Sequence, residues 1–348
     1  MNLKQLSAAL GLSQTTVSRA LNGYPEVAEA TRLRVVAAAK VHGYRPNTRA
    51  RGLATGRAMA IGHVIPVSSR HEIVNPVFAD FIAGAGESYL KHGYDIVISV
   101  VPDDREEHAY RDIAAKGSVD GIIIHGPRCT DPRIKLLQDI GLPLVVHGRA
   151  SQETSAYDWV DVNNRRAFER ATRFLADLGH RRIALVNGLV EMDFATRRLQ
   201  GYRDGLRGYG IELDPDLEQS TEMTETYGYT LTRQMLDLPN PPTAIVASSI
   251  ISSIGIRRAI QERGLQLGRD VSVITHDDEL SYLSNSGPEP IFTVTRSSVR
   301  EAGRLCAERL ISMIATPGSA PEQTLLEAEL TVGLSTGPAP QVARRVSA

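Results

Sequence analysis

The stretch Ser13-Gln14-Thr15-Thr16-Val17-Ser18-Arg19-Ala20-Leu21-Asn22 reads as a short helix with one apolar and one polar side. Val17, Ala20 and Leu21 recur at helical spacing and predict the buried stripe, which leaves Gln14, Thr15, Ser18, Arg19 and Asn22 outward. Ser13 is placed to cap its first turn. Upstream, Leu3, Leu6 and Leu10 form the stripe of a preceding helix that Asn2 can cap and Gly11 can end. Two short helices joined by so tight a turn predict a helix-turn-helix, whose second helix enters the major groove with its first residues against base edges. Ser13, Gln14, Thr15, Thr16, Ser18, Arg19 and Asn22 are therefore the candidate DNA-contacting residues, because amides, hydroxyls and guanidinium groups match base edges and phosphates. A plain helical hairpin with a polar surface fits the same bare pattern.

Charge separates those two readings. Residues 1–58 hold nine Lys/Arg against two Asp/Glu, whereas the remaining 290 residues hold 30 against 38. The nearly neutral whole conceals a basic head on an acidic body, the asymmetry expected of a phosphate-binding module. A third helix is expected from about Thr31 to His42, with Leu33, Val36, Ala37 and Val41 as its core face and Gly43-Tyr44-Arg45-Pro46 as its stop.

Leu12-Ser13, Thr16 to Asn22, Gly43-Tyr44-Arg45-Pro46-Asn47 and Ala50-Arg51-Gly52-Leu53 together resemble the lac/gal repressor (LacI-type) family of bacterial transcriptional regulators. The resemblance reaches to about Leu334, and the head and the turn from Thr275 to Leu283 are similar to regulators of α-glucoside use. It implies a hinge helix over Asn47 to Ala54 that folds on operator DNA, with Asn47, Ala50 and Arg51 on the duplex. Leu53 would wedge into a minor-groove step, trading unstacking energy for a bent duplex that meets more protein.

The body is of ordinary soluble composition: 348 residues in all, 42% hydrophobic and 23% charged, enough for two or three domains. Cys129 and Cys306, far apart in sequence, make neither a disulfide framework nor a metal cluster and are expected to be small core residues. The chain shows no apolar run near the ~18 residues a membrane span needs and no hydrophobic leader, so a cytoplasmic protein is expected. No cofactor, catalytic or metal site is expected: Gly-x-Gly-x-x-Gly, Walker and Gly-x-Ser-x-Gly motifs do not occur, and His276-Asp277-Asp278 lacks the further ligands of a metal centre.

From Met59 the pattern alternates between apolar runs and amphipathic helices. Strands are expected at Ala60 to Pro66, Asp95 to Val100, Gly121 to His125 and Pro143 to His147, then at Arg182 to Gly188, Thr243 to Ala247 and Asp270 to His276. Continuous apolar runs of this kind are buried parallel strands, which predicts an α/β body of two doubly wound parallel lobes. The resemblance implies a periplasmic-binding-protein-like arrangement in which the chain crosses repeatedly between lobes. The expected division is 1–46 for the head and 47–58 for the hinge. Residues 59–160 with 292–324 would form the first lobe, 161–291 with 325–336 the second, and 337–348 a disordered tail.

Ligands of such sheets sit beyond the carboxyl ends of the strands, so a cleft between the lobes is expected. By resemblance, Arg198 of Arg198-Leu199-Gln200-Gly201-Tyr202 and Asp277 of the Thr275-to-Asp278 turn are effector contacts, a fork of donors and an acceptor for vicinal hydroxyls. Ser249 and Ile250 stand where the family carries Asn-Asp, and His147 and Arg296 where it often carries Asp and Gln. Those departures predict a more cationic pocket and leave a phosphorylated or larger glycosyl ligand open. Phe78 and Phe194, with Tyr157, Trp159 and Tyr282, are the candidate stacking rings; Phe78, His147, Phe194, Arg198, Ser249, Asp277 and Arg296 form the expected effector set.

The reading is thus a DNA-binding transcriptional regulator, a homodimer or a tetramer, on a near-palindromic operator, with affinity set by a sugar-type small molecule. A regulator with a non-sugar effector or none, and a sugar-binding transport protein, are the alternatives. The basic head argues against the last.

Overall fold

The leading helices form because their caps and stripes agree. In the computed structural model, which describes residues 1–21, 23–44, 56–66, 75–285 and 288–340, α1 spans Leu3–Leu10, α2 Gln14–Leu21 and α3 Glu29–Val41. Asn2 and Gln5 close a reciprocal capping box on α1, and Gly11 ends it in the left-handed region at φ 65°. Ser13 Oγ accepts from the Thr16 backbone N–H at 3.0 Å, the cap expected for α2. Leu6, Val17, Ala20, Val35 and Ala39 close the small core, with Leu3, Leu10, Leu12 and Leu21 packed around it.

The third helix presents a different face from the one expected. Val35 and Ala39 are buried, whereas Leu33, Val36 and Val41 are exposed. Apolar side chains occur on two phases of this helix, and a core this small accommodates only the stripe that meets Val17 and Leu6. The hinge residues Asn47, Ala50, Arg51 and Leu53, and Asn22 of the recognition helix, lie outside the described residues.

Two six-stranded sheets make the body. Strands β1 (Ala60–Pro66), β2 (Asp95–Val101), β3 (Gly121–His125), β4 (Leu144–His147), β5 (Asp158–Val162) and β11 (Gln323–Leu326) stand in the order β11-β5-β4-β3-β1-β2, every pair parallel. The second sheet holds β6 (Ile183–Asn187), β7 (Glu218–Ser220), β8 (Ala244–Ala247), β9 (Ser272–Asp277), β10 (Thr293–Arg296) and β12 (Glu329–Thr331) in the order β12-β10-β9-β8-β6-β7. Only the β10–β12 pair is antiparallel there. The connecting helices are α4 (Pro76–His92), α5 (Glu106–Lys116), α6 (Pro132–Ile140), α7 (Asn164–Asp177), α8 (Asp193–Arg207), α9 (Glu225–Leu236) and α10 (Ile250–Glu262). A last helix, α11 (Val299–Ala315), packs on α4 and against β3, β4 and β5, back on the first lobe. Expected and observed strands agree within about two residues, because buried parallel strands are written as unbroken apolar runs.

The crossings fall slightly elsewhere than expected. Thr293–Arg296 pairs with Ser272–Asp277, so 292–296 belong to the second lobe and the chain returns to the first only at α11. Asp161 and Val162 pair with Leu325 and Leu326 in the first sheet, so the first lobe extends to 162 and to 326. Apolar runs on both sides of each crossing give no sequence mark of which sheet they join. Residues 337–340 are ordered against the second lobe, not part of a loose tail: Gly337 N–H donates to Ser272 Oγ and Ala339 N–H to Leu178 O. Cys306 is buried in the core as expected, and Cys129 is only half-buried. Among the described residues no helix is long and apolar enough to cross a membrane.

Candidate functional site

The carboxyl ends of β3 and β4 and the start of α4 bring His125, His147 and Phe78 to one wall of the cleft between the lobes. Asn75 caps α4 by accepting from Val77 N–H at 3.0 Å, and Pro76 fixes the first turn, which sets Phe78 edge-on to the His125 ring at 5.1 Å between centroids. Phe81, one turn on, lies 4.5 Å from the His147 ring.

Arg198 rises from the opposite wall. Its helix α8 lies so close to α7 that a Cβ on Gly201 would sit 2.0 Å from the Arg165 carbonyl oxygen, and Tyr202 O–H anchors the next position on Ile183 O at 2.7 Å. The Arg-x-x-Gly-aromatic pattern is therefore a positioning device for the arginine. The guanidinium lies between Phe168 and Phe194, 5.1 and 4.9 Å from their centroids, and donates to Asn164 Oδ1 at 2.7 Å and Ser248 O at 2.6 Å. Burial lowers its pKa to about 10, against the pull of Asp278, so it stays charged at neutral pH.

Asp278, one residue beyond the expected Asp277, is the carboxylate that faces Arg198. Burial works against its charge, but His276, at 3.4 Å, with Arg198 and His147, holds its pKa below the ordinary carboxylate value. Asp277 is committed elsewhere: it accepts from Glu279 N–H at 2.9 Å and from Arg296 Nε at 3.3 Å. Arg296 is thereby paired with Asp277 and approaches Glu279. Two adjacent acids at a strand end are indistinguishable in a sequence; the strand's pleat decides which faces the cleft.

Ser249 also has prior duties. Its hydroxyl accepts from Ile251 N–H at 3.1 Å and caps α10, while Ser248 Oγ donates to Asn187 Oδ1 at 2.7 Å. Among the described residues the histidine and the arginine add no net positive charge to the pocket. Burial holds His147 at a pKa of about 4 and His125 well below its usual value, so both imidazoles are neutral, and Arg296 is balanced by Asp277. Of these described residues, Arg198 and Asp278 remain as one charge of each sign.

Of the other rings, Tyr157 is a core residue bonded to Ala150, Trp159 is buried beneath Arg149, and Tyr282 is almost fully exposed. In the head, Gln14, Thr15 and Arg19 are exposed and Thr16 and Ser18 half-buried, so the candidate DNA face is presented outward.

Contacts across the cleft tie the lobes at both flanks. Asp80 of α4 accepts from Ser281 N–H at 2.8 Å and from the Ser281 hydroxyl. On the other side Asp193 N–H donates to Pro127 O at 2.9 Å, and its carboxylate accepts from Ser151 N–H at 2.8 Å. Asp161, at the end of the crossing strand, pairs with Arg149 of the first lobe at 3.0 Å and Arg197 of the second at 2.6 Å. Sequence reading passed over Asp80 and Asp161, whose partners lie far away in the chain.

Residues 3–47 match the bacterial regulatory proteins of the lacI family, and residues 172–336 match a periplasmic binding protein-like domain. The HTH-type transcriptional regulator AglR of Rhizobium meliloti is 45% identical over 340 residues, covering 98% of this chain and 95% of the relative. The chain belongs to the lacI family of bacterial regulatory proteins. A second relative, the HTH-type transcriptional regulator RafR of Escherichia coli, is 36% identical over 80% of this chain and 82% of its own length. The lac repressor dimer bound to operator and the anti-inducer ONPF superposes with a TM-score of 0.81 at 25% identity, covering 97% of this chain and 99% of that one. The CelR–cellobiose complex does so with a TM-score of 0.71 at 28% identity, over 96% and 99% of the two chains. This lacI-family protein is a DNA-binding transcriptional regulator with a helix-turn-helix head and two parallel α/β lobes.

Proposed function

We propose that this regulator is a repressor of carbohydrate-use genes whose operator affinity is set by a neutral, sugar-type effector between the lobes. The observation that carries this reading is Arg198, held between Phe168 and Phe194 with two of its nitrogens bonded and Asp278 opposite. Such a site offers donors, an acceptor and ring faces with no net charge. Those are the requirements of a polyhydroxyl ring, and among the described residues a phosphate would find no second uncommitted cation. The similar CelR–cellobiose complex supports the ligand class.

Phe78, His147 and Phe194 form the remaining wall, with Ser249, Asp277 and Arg296 acting behind it. Gln14, Thr15, Ser18 and Arg19, with Ser13 and Thr16 at the helix start, read the operator; Asn22, Asn47, Ala50, Arg51 and Leu53 complete the DNA contact. Two copies present two heads to a near-palindromic site. Ile96, Ile98 and Val100 form an exposed apolar row on β2 and supply the surface on which the copies pair in the cytoplasm. Effector binding then changes operator affinity by its differential affinity for the two lobe arrangements.

The test is heat stabilisation of the purified protein by a panel of neutral sugars, sugar phosphates and nucleobases. A ligand at ~100 times its dissociation constant adds about 2.7 kcal/mol, a plain rise in Tm. A neutral sugar is expected to stabilise the wild type and not Arg198→Ala. Stabilisation by a phosphorylated sugar alone, or equal stabilisation of both proteins, refutes the reading.

A further inference from the structure

Behind the first-lobe wall lies a row of polar side chains that the effector contacts above leave unexplained. Tyr89 of α4 is buried, and its hydroxyl lies 3.2 Å from Nε2 of His63. His63, on β1, is wholly buried, and its Nδ1 lies 2.9 Å from Nε2 of His125. The His63 and His125 rings are tilted by only 22° with centroids 5.2 Å apart, the edge-to-edge arrangement of such a bond, and His125 meets Phe78, Phe81 and His147 edge-on. Among the described residues no group accepts from Nδ1 of His125.

We propose that Tyr89, His63 and His125 form a directional hydrogen-bond chain that makes His125 an obligatory donor to an acceptor oxygen of the effector. This rests on the effector site described above and names what its first-lobe wall selects. The direction follows from counting protons. A phenol has one O–H, and a buried donor left without an acceptor is costly, so Tyr89 donates. Its available acceptor is Nε2 of His63; the neighbouring thiol of Cys306 is a far weaker one. A neutral imidazole that accepts at Nε2 carries its proton on Nδ1, so His63 donates to Nε2 of His125. His125 then carries its own proton on Nδ1, at the carboxyl end of β3 where the cleft opens. Burial keeps both rings neutral, His63 at a pKa of about 4, so the chain is not scrambled by a second proton at neutral pH.

The consequence for specificity is chemical. A ring, glycosidic or hydroxyl oxygen with a free lone pair satisfies His125, whereas an ammonium of an amino sugar in that place confronts a donor with a donor. Tyr89 and His63 touch no ligand and act as positioning residues.

Long-range proton–nitrogen correlation spectra of the full-length protein labelled with 15N-histidine report the tautomer of each ring. His63 and His125 are expected as single Nδ1–H forms, Tyr89→Phe to mix the tautomers of both, and Cys306→Ala to leave them unchanged. An Nε2–H form at His63 in the wild type, or an unaltered pattern in Tyr89→Phe, overturns the proposal. Calorimetric titration with cellobiose and maltose supplies a second readout. For whichever disaccharide binds, Tyr89→Phe is expected to weaken affinity about threefold to tenfold, and unchanged affinity overturns the donor role. The spectra decide on the chain independently of these sugars; failure of the wild type to be stabilised by any neutral sugar strikes the effector reading instead.

Discussion

Asp277 and Asp278 differ by one place in the chain and by their entire surroundings. Asp277 holds Arg296 and the Glu279 backbone, whereas Asp278 faces Arg198 and His147. Asp278→Asn is therefore expected to weaken effector binding about tenfold or more, as loss of a charged hydrogen-bond acceptor does. Asp277→Asn should chiefly lower stability; calorimetric titration beside thermal melts separates the two, and the reverse ranking would return the contact to Asp277. The resemblance places the effector acid of this turn at Asp277, whereas the structure brings its neighbour Asp278 under the influence of Arg198, because a resemblance aligns positions and not the pleat that orients them. His63 carries a second consequence. Its folded pKa, about 4, lies below the ordinary value near 6.5, so the unfolded chain binds more protons between those values. The His63 contribution is fully present above pH 6.5 and is lost as pH falls toward 4, by roughly 2 kcal/mol at pH 5. Urea unfolding at pH 7 and pH 5 is expected to show this loss, and His63→Gln to lose less on acidification than the wild type.

At the scale of single elements, α2 was the most legible part of the chain. A capping serine, a stripe at helical spacing and polar residues elsewhere all pointed the same way, and Ser13, Val17 and Ala20 take the expected places. Gln14→Ala and Arg19→Ala are each expected to weaken operator binding by about 1–3 kcal/mol if they pair with a base, and by less if they meet phosphate alone. Binding to operator and to random DNA, measured across salt concentrations, distinguishes these outcomes. In contrast, α3 carries Val35 and Ala39 on one phase and Leu33, Val36 and Val41 on another, so periodicity alone selected the outer face. What decides between phases is the shape of the partner helices, which a linear pattern does not contain. The two sheets were legible for a simpler reason: strands covered on both faces need apolar residues throughout, and runs such as Gly121–His125 admit few other readings.

For the whole molecule, the lobes and their order followed from the alternation of runs, while the crossings came from resemblance and were misplaced by a few residues. An ambiguous run such as Thr293–Arg296 joins whichever sheet has a vacant neighbour, a fact about the assembled body. The exposed row Ile96, Ile98 and Val100 sets the expectation for assembly: Ile98→Glu would bury a charge in the paired state, shifting dimers toward monomers in sedimentation and weakening operator binding. Undiminished dimerisation would place the contact on another face. The same threading has a bearing on how the protein is born. Chains emerge from the ribosome amino end first and domains fold as units in that order. Among the described residues the head has its three helices by Val41, but the first sheet lacks its edge strand until Leu326 and its covering helix until Ala315. A nascent regulator therefore carries a folded helix-turn-helix for most of its synthesis while its two-lobed body is still incomplete. With pairing through that body, as proposed, the operator is first met by two heads together only when chains have already been released.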